Sequence, residues 1–180
     1  MDGVKLQNML NEYRNLPYPE IKNIYQNHAY ANLLYDDLSG ELGELSAVTQ
    51  YVYEHLNIQT EDILSNVLLG IAIQEMKHLN LVGDLIRKMG NKPYLISSKG
   101  TYWSSSNIEY QDMPLKDLMN YNIKTEEIAI AGYRKAIQKT RNLEIRKLWD
   151  RIIKDEKNHI KIFQEIISEL DSECVNEKKT

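Results

Sequence analysis

The chain has 180 residues, of which 42% are hydrophobic, and a formal net charge of −4 at neutral pH. This length suffices for one domain with a sizeable core, and the absence of a basic stripe argues against nucleic acid as a partner. No segment approaches the roughly 20 apolar residues that span a membrane, and the first residues lack the apolar stretch of a signal peptide, so a cytoplasmic location is expected.

The reactive side chains exclude several kinds of chemistry. The single cysteine, Cys174, lies in a polar stretch near the carboxyl end, so neither an intramolecular disulfide nor a four-cysteine metal site is expected. The sequence contains no glycine-rich phosphate loop and no pattern typical of a serine or cysteine nucleophile. Nucleophilic catalysis is therefore not indicated.

The amino-terminal residues 1–27 are predicted to form a strap over the domain. Apolar residues recur there at helical spacing from Leu6 to Tyr13, but Pro17 and Pro19 end any helix.

Two long helices are predicted next. Apolar residues at three- and four-residue spacing indicate an amphipathic helix over 30–56, despite Gly40 and Gly43. Thr60, followed by acidic residues, is a typical cap for a second helix over 61–89. Because few residues connect them, the two helices are expected to be antiparallel neighbours.

A long connection precedes the second pair of helices. Residues 91–113 lack a sustained period and are numerous enough to cross the length of a bundle, which allows a parallel third helix. Asp112 and Pro114 open that helix, which ends near residue 140, and the fourth is predicted over 143–170. The expected organisation is a strap (1–27), a bundle (28–172) and a polar tail (173–180).

Two Glu-x-x-His motifs carry the strongest chemical signal. Glu75 and His78 lie in the second predicted helix, and Glu156 and His159 lie in the fourth. Residues three apart share one face of a helix, so each motif presents a carboxylate beside an imidazole. Unpaired charges are costly to bury, so these side chains either bind a metal ion or belong to a solvated or salt-bridged polar layer.

The other two helices carry acidic residues at the same level of the bundle. These are Glu41 or Glu44 in the first helix and Glu126 or Glu127 in the third. Glu75 follows Glu44 by 31 residues and Glu156 follows Glu126 by 30, so the two halves repeat one arrangement. Single Glu residues on two helices and Glu-x-x-His on two others form the pattern of ferritin-like dimetal carboxylate sites.

Three segments resemble the metal-binding helices of bacterioferritins, rubrerythrins and manganese catalases. They are Glu44-Leu45-Ser46-Ala47-Val48-Thr49-Gln50-Tyr51, Glu75-Met76-Lys77-His78 and Asp155-Glu156-Lys157-Asn158-His159-Ile160. The resemblance implies an all-α, ferritin-like four-helix bundle with a long crossover between helices 2 and 3. It also implies two iron or two manganese ions, bound by Glu44, Glu75, His78, Glu126, Glu156 and His159.

Within these families, some features separate the members. In manganese catalases the fourth-helix Glu does not bind metal directly. A likeness to that family would therefore imply that Glu156 supports the ligands instead of binding metal itself. Rubrerythrins carry a further Glu where this chain has Ala129, and a four-cysteine module that is absent here. Ala129, Ile130 and Tyr133 follow Glu126 as in the third helix of these families, which favours Glu126 over Glu127.

The resemblance implies an oxidoreductase that reacts with peroxide or dioxygen, with an external electron donor as a further partner. The alternatives are a ferroxidase or iron-storage protein and a structural or cargo protein with an idle metal site. Tyr51 and Tyr133 each follow a candidate ligand by seven residues, so they either hydrogen-bond ligands and supply electrons, as in related proteins, or are ordinary core tyrosines. The long amino-terminal segment and crossover favour a homodimer over a closed shell.

Overall fold

The computed structural model describes residues 2–58 and 62–177 and is a bundle of α-helices. The helices are α1 (Gly3–Arg14), α2 (His28–Ser39), α3 (Glu44–Asn57), α4 (Asp62–Lys88), α5 (Leu115–Gln138) and α6 (Leu143–Glu177), with a short 3-10 helix at Ser105–Asn107. The described residues contain an isolated bridge between Ile96 and Tyr102 but no extended strand. The predicted all-α class is confirmed. Within the described ranges, no helix has the length and apolarity needed to cross a membrane.

The first predicted helix is wrong in one respect, because it is interrupted between Ser39 and Glu44. A side chain at Gly40 would place its Cβ 2.6 Å from the backbone oxygen of Asp36, and one at Gly43 would place it 2.5 Å from the same oxygen. The chain can turn so closely only with glycine at both positions. Glu44 consequently occupies the first turn of α3, where the helix dipole favours a negative charge.

The amino-terminal segment packs along α6. Its helix α1 coincides with the predicted periodic stretch, and Leu6 and Leu10 are buried against the bundle. After α1 the chain continues without regular structure to residue 27. Arg151 of α6 fixes this transition by donating from Nη2 to the backbone oxygens of Tyr13 (2.7 Å) and Leu16 (3.1 Å).

The crossover between α4 and α5 runs the length of the bundle. Tyr30, at the start of α2, donates to the backbone oxygen of Ala136, at the end of α5. Asn122, near the start of α5, donates to Glu54, near the end of α3. Since α3 and α4 are antiparallel neighbours, these contacts make α4 and α5 parallel, which is the arrangement that the long connection allows. The crossover is attached to the start of α3 by a 3.0 Å hydrogen bond from Trp103 Nε1 to Ser46 Oγ.

Two apolar clusters fill the bundle, one on each side of a polar layer. One includes Leu85 and Ile152, and the other includes Leu68 and Phe163. On both α4 and α6, the polar residues of the Glu-x-x-His motifs lie between the stretches that enter these two clusters. The apolar clusters thus enclose the polar layer from above and below.

The remaining helix boundaries agree with the periodicity except at the carboxyl end. Helix α6 continues to Glu177, beyond the predicted end at residue 170, so part of the predicted polar tail is helical. The cap predicted at Thr60 and the first predicted helical residue, Glu61, lie outside the described residues.

Candidate metal centre

Four helices bring the six predicted ligand side chains into the polar layer. α3 contributes Glu44, α4 contributes the first motif, α5 contributes Glu126 and α6 contributes the second motif. All six residues are at most 3% exposed. Their donor atoms form two overlapping groups, each with its atoms within 4.8 Å of one another: Glu44, Glu75, His78 and Glu156, and Glu75, Glu126, Glu156 and His159.

Glu75 and Glu156 belong to both groups because each places one oxygen near each histidine. The Nδ1 atom of His78 lies 3.0 Å from Oε2 of Glu75 and 3.1 Å from Oε1 of Glu156. The Nδ1 atom of His159 lies 2.8 Å from Oε1 of Glu75 and 3.1 Å from Oε2 of Glu156. These two carboxylates therefore connect the halves of the centre, whereas Glu44 and Glu126 each belong to one half.

The structure separates the acidic pairs that the sequence left open. Glu41 and Glu127 are exposed and belong to neither group of donor atoms. Glu41 lies in the turn before α3, and Glu127 is one position, about 100°, around α5 from Glu126. Only Glu44 and Glu126 of these pairs face the polar layer.

Tyr51 and Tyr133 bind carboxylates across the centre rather than on their own helices. Tyr51 of α3 donates its hydroxyl to Oε1 of Glu126 at 2.5 Å. Tyr133 of α5 donates in the same way to Oε1 of Glu44. Burial, followed by the charges of the neighbouring carboxylates, raises the pKa of both tyrosines well above 10. The hydroxyls are therefore neutral donors that orient Glu126 and Glu44, each of which belongs to only one half of the centre.

Four buried carboxylates and two imidazoles perturb one another strongly. Burial raises the pKa of Glu126 to about 8 and that of Glu44 well above its usual value. Burial opposes the charge of Glu75 as well, but His78 and His159 outweigh it and hold the pKa of Glu75 far below its usual value. Burial would lower the pKa of both histidines, but the surrounding carboxylates raise it. In the absence of metal, protons must supply the positive charge.

The unused donor atoms fit metal ions. Oε1 of Glu75 and both carboxylate oxygens of Glu156 are buried, and although a histidine Nδ1 lies within 3.1 Å of each, none of them makes a hydrogen bond of good geometry among the described residues. Leaving such atoms unsatisfied is costly, whereas a cation held between them would satisfy them. The donors are carboxylates and imidazoles with no thiolate, a composition that suits iron or manganese.

Sequence reasoning missed two residues that support His78. Asp155 is fully buried, and its Oδ2 lies 3.1 Å from Nε2 of His78 and 2.8 Å from the hydroxyl of Tyr18. Asp155 also forms an ion pair with Arg151. Burial would raise the pKa of Asp155, but its hydrogen bonds with His78 and Arg151 lower it below its usual range. The position of Asp155 directly before Glu156 could have identified it from the sequence. The contact of Tyr18 with His78 could not have been predicted in this way.

The corresponding position on α4 is occupied by Gln74, directly before Glu75. Its side chain is 1% exposed, and neither of its amide atoms has a hydrogen-bond partner among the described residues. Within the same described ranges, Nε2 of His159 is also without a partner. The outer nitrogen of one histidine is thus bound by a carboxylate, and that of the other is not.

Two cavities approach the centre from the side of α3 and α5. A narrow cavity of about 30 Å³ is lined by Tyr51, Thr125, Glu126 and their neighbours. A wider cleft of about 640 Å³ lies under the crossover. Both cavities are lined by Leu42, Asn107 and Ala129, so the cleft lies directly outside the narrow cavity.

Comparison with known proteins finds sequence similarity to manganese catalases. The sequence profile of manganese containing catalases matches residues 9–93. A probable manganese catalase of Clostridium acetobutylicum is 24% identical, and the match covers 87% of this chain and 78% of that protein.

Solved structures of ferritin-like proteins superpose on most of the chain. A manganese catalase from Anabaena has a TM-score of 0.79 at 23% identity, covering 88% of this chain and 80% of its own. A bacterioferritin from Desulfovibrio desulfuricans, which has a diiron site, has a TM-score of 0.64 at 20% identity, covering 79% of this chain and 80% of its own. The chain therefore has the fold of the ferritin-like helical bundles. Its two buried carboxylate and histidine clusters suit two manganese or two iron ions.

Proposed function

We propose that the chain holds two manganese or two iron ions and decomposes hydrogen peroxide. The observation that carries the proposal is the pair of overlapping donor groups, in which Glu75 and Glu156 each reach both halves. The sequence similarity to manganese catalases supports peroxide as the substrate.

Each residue of the centre has a role in this proposal. Glu75 and Glu156 would help to hold both ions, because the two oxygens of each carboxylate face different histidines. Glu44 and His78 complete one half, and Glu126 and His159 complete the other. When bound, the two ions supply the two-electron change needed to break an O–O bond.

The protein contributes orientation and restricted access. Tyr51 and Tyr133 hold Glu126 and Glu44 through their hydroxyls, which limits the directions those carboxylates can take. The narrow cavity at Glu126, of about 30 Å³, has room for a molecule the size of water or peroxide. Substrate would enter from the wider cleft under the crossover, past Ala129.

A ferroxidase is the second candidate, and the position of Glu156 favours it. Glu156 belongs to both donor groups, and the two halves have the same composition of Glu and His. The likeness to a bacterioferritin with a diiron site agrees with such a symmetric centre. Storage of iron would further require a closed shell of many subunits.

Metal analysis combined with a peroxide assay tests both candidates. Protein purified without added metal should contain about two ions of manganese or iron per chain, and the loaded protein should release dioxygen from hydrogen peroxide. Dioxygen consumption with Fe(II), without release from peroxide, would favour the ferroxidase. If the protein binds no metal and has neither activity, both candidates are wrong and a structural role is favoured.

The proposed assembly is a homodimer. Light scattering should give about twice the 21.0 kDa chain mass. A particle of some twenty chains would contradict this prediction and favour storage. The same measurement in the presence of Fe(II) would reveal whether assembly depends on metal.

A further inference from the structure

We infer that Tyr18 is a positioning residue for one of the two ions, and that the ion at the His78 half is bound more tightly than the ion at the His159 half. This inference rests on the proposed two-metal function. It concerns a residue of the amino-terminal segment, outside the four helices that provide the donor atoms.

The first step is the orientation of the two imidazoles. Nδ1 of His78 and Nδ1 of His159 both face the carboxylates of the centre. Nε2 is therefore the outer nitrogen of each ring and is free to bind a supporting group. A metal-binding imidazole becomes a stronger and better oriented ligand when its outer N–H donates to a carboxylate.

The second step is the support that His78 receives. Nε2 of His78 lies 3.1 Å from Oδ2 of Asp155 and 3.2 Å from the hydroxyl of Tyr18. The same Asp155 oxygen accepts the Tyr18 hydroxyl at 2.8 Å. Tyr18 thus closes a triangle with the ring and the carboxylate, and its own ring meets that of His78 edge-on at 6.0 Å.

The third step is how Tyr18 is held in place. The guanidinium carbon of Arg151 lies 4.5 Å from the centre of the Tyr18 ring, in cation–π geometry. Arg151 also pairs with Asp155 and binds the backbone oxygens of Tyr13 and Leu16, just before Tyr18. One buried arginine therefore couples the position of the amino-terminal segment to the carboxylate that supports His78.

The fourth step is the contrast with His159. Gln74 occupies the position that Asp155 occupies in the other motif, and a neutral amide does not replace a carboxylate as a charged acceptor. Neither the Gln74 amide nor Nε2 of His159 has a partner among the described residues. The half with His159 also includes Glu126, which lines the narrow cavity. The less supported ion is thus the one nearer to the route from outside.

Stepwise binding of Mn(II) to metal-free protein tests the inference. The wild type should bind two ions in distinguishable steps, measured by competition with a chromophoric chelator and by the electron paramagnetic resonance signal of singly loaded protein. Tyr18→Phe should weaken the tighter step by about threefold to tenfold, the effect of one lost hydrogen bond, and leave the weaker step unchanged. Gln74→Asp should strengthen the weaker step.

Tyr35→Phe is the matched control, since it removes a hydroxyl bonded at 2.6 Å to the backbone oxygen of Lys92, away from the centre. It should change neither step. If Tyr18→Phe weakens both steps equally, or neither, the inference is wrong while the two-metal function stands. If the wild type binds no Mn(II) or Fe(II), the proposed function fails and the inference fails with it.

Discussion

The two halves of the centre are alike in their ligands and different in what surrounds them. Each half has a single Glu, a Glu-x-x-His motif and a tyrosine that crosses to the Glu of the other half. The residue before the second Glu differs, since it is Asp155 in α6 and Gln74 in α4. Local repetition of sequence therefore produces two similar donor groups, and one substitution beside them makes their support unequal.

Some residues of the centre belong to both halves, and others belong to only one. In the proposed function, the shared carboxylates, Glu75 and Glu156, contribute to the binding of both ions. Residues that belong to one half, such as Glu126 and Asp155, would make the two ions differ. Substitutions of the shared residues should therefore have larger effects on metal binding and activity than substitutions of residues that belong to one half.

The largest effect is expected for Glu75→Gln, which removes the charge of a carboxylate that reaches both histidines. The binding of both ions should be lost or strongly weakened, and the rate of peroxide decomposition should fall by about 100-fold or more. Metal content and dioxygen release measure this. Glu127→Gln removes an exposed carboxylate from α5 and should change neither quantity. Retention of two ions by the Glu75 variant would contradict the shared role.

The second prediction concerns metal removal and pH. In metal-free protein the pKa of Glu126 is raised by burial to about 8, whereas the unfolded carboxyl ionises near 4.5. Between these values the folded state binds more protons than the unfolded state, so stability decreases as pH rises. The raised pKa of His78 and of His159 acts in the same direction, because stability from a protonated imidazole is lost as pH rises through its folded pKa.

Bound ions replace these protons and remove this contribution. Chelation should therefore lower the melting temperature by about 5 °C or more at pH 8, and by less at pH 6. Added Mn(II) or Fe(II) should restore it. Burial also raises the pKa of Glu54 to about 7, away from the two donor groups, so Glu54→Gln is the control. It should reduce the pH slope of both forms without changing the difference between them. An equal effect of chelation at both pH values would contradict the prediction.

The third prediction tests whether the half with Glu126 is the one that substrate reaches. Ala129 lines both the wide cleft and the narrow cavity. Ala129→Leu should obstruct the passage and lower kcat/KM for peroxide by about tenfold while both ions stay bound. Ala129→Ser, which adds little volume, is the matched control. Unchanged kinetics of the leucine variant would place the substrate route elsewhere.

Much of this arrangement was predictable from the sequence because it depends on helical periodicity. Glu75 and His78 share a face of any α-helix that contains them, and the lengths of the predicted helices placed Glu44 and Glu126 at the same level. The interruption after Ser39 was not predicted, since Gly40 and Gly43 are tolerated within an amphipathic pattern. Their role became visible only through the distance from a side chain there to the Asp36 backbone oxygen.

The role of Tyr18 was beyond sequence reasoning for a different reason. Tyr18 and Asp155 are separated by 137 residues and meet because the amino-terminal segment packs along α6. No local period reports such a contact. Gln74 was unremarkable in the sequence for the same reason, as its significance depends on comparison with the environment of Asp155.

The smallest effects are expected for Tyr51→Phe and Tyr133→Phe, each of which removes one hydroxyl and leaves the ring in place. Each lost hydrogen bond to a ligand carboxylate should lower the melting temperature by about 2–6 °C and the activity by no more than about tenfold. If the tyrosines act only by orienting Glu126 and Glu44, the two variants should lose equal stability and activity, because the two contacts are equivalent.

The surroundings of Tyr51 and Tyr133 differ, however. The ring of Tyr133 stacks on buried Trp149 at 5.0 Å, whereas that of Tyr51 packs at a tilt against Phe163. Trp is more easily oxidised than Phe, so a role in electron supply would make the loss of activity larger for Tyr133→Phe at equal metal content. We expect equal losses, whereas a larger loss for Tyr133→Phe at equal metal content would assign electron transfer to the Tyr133 side of the centre.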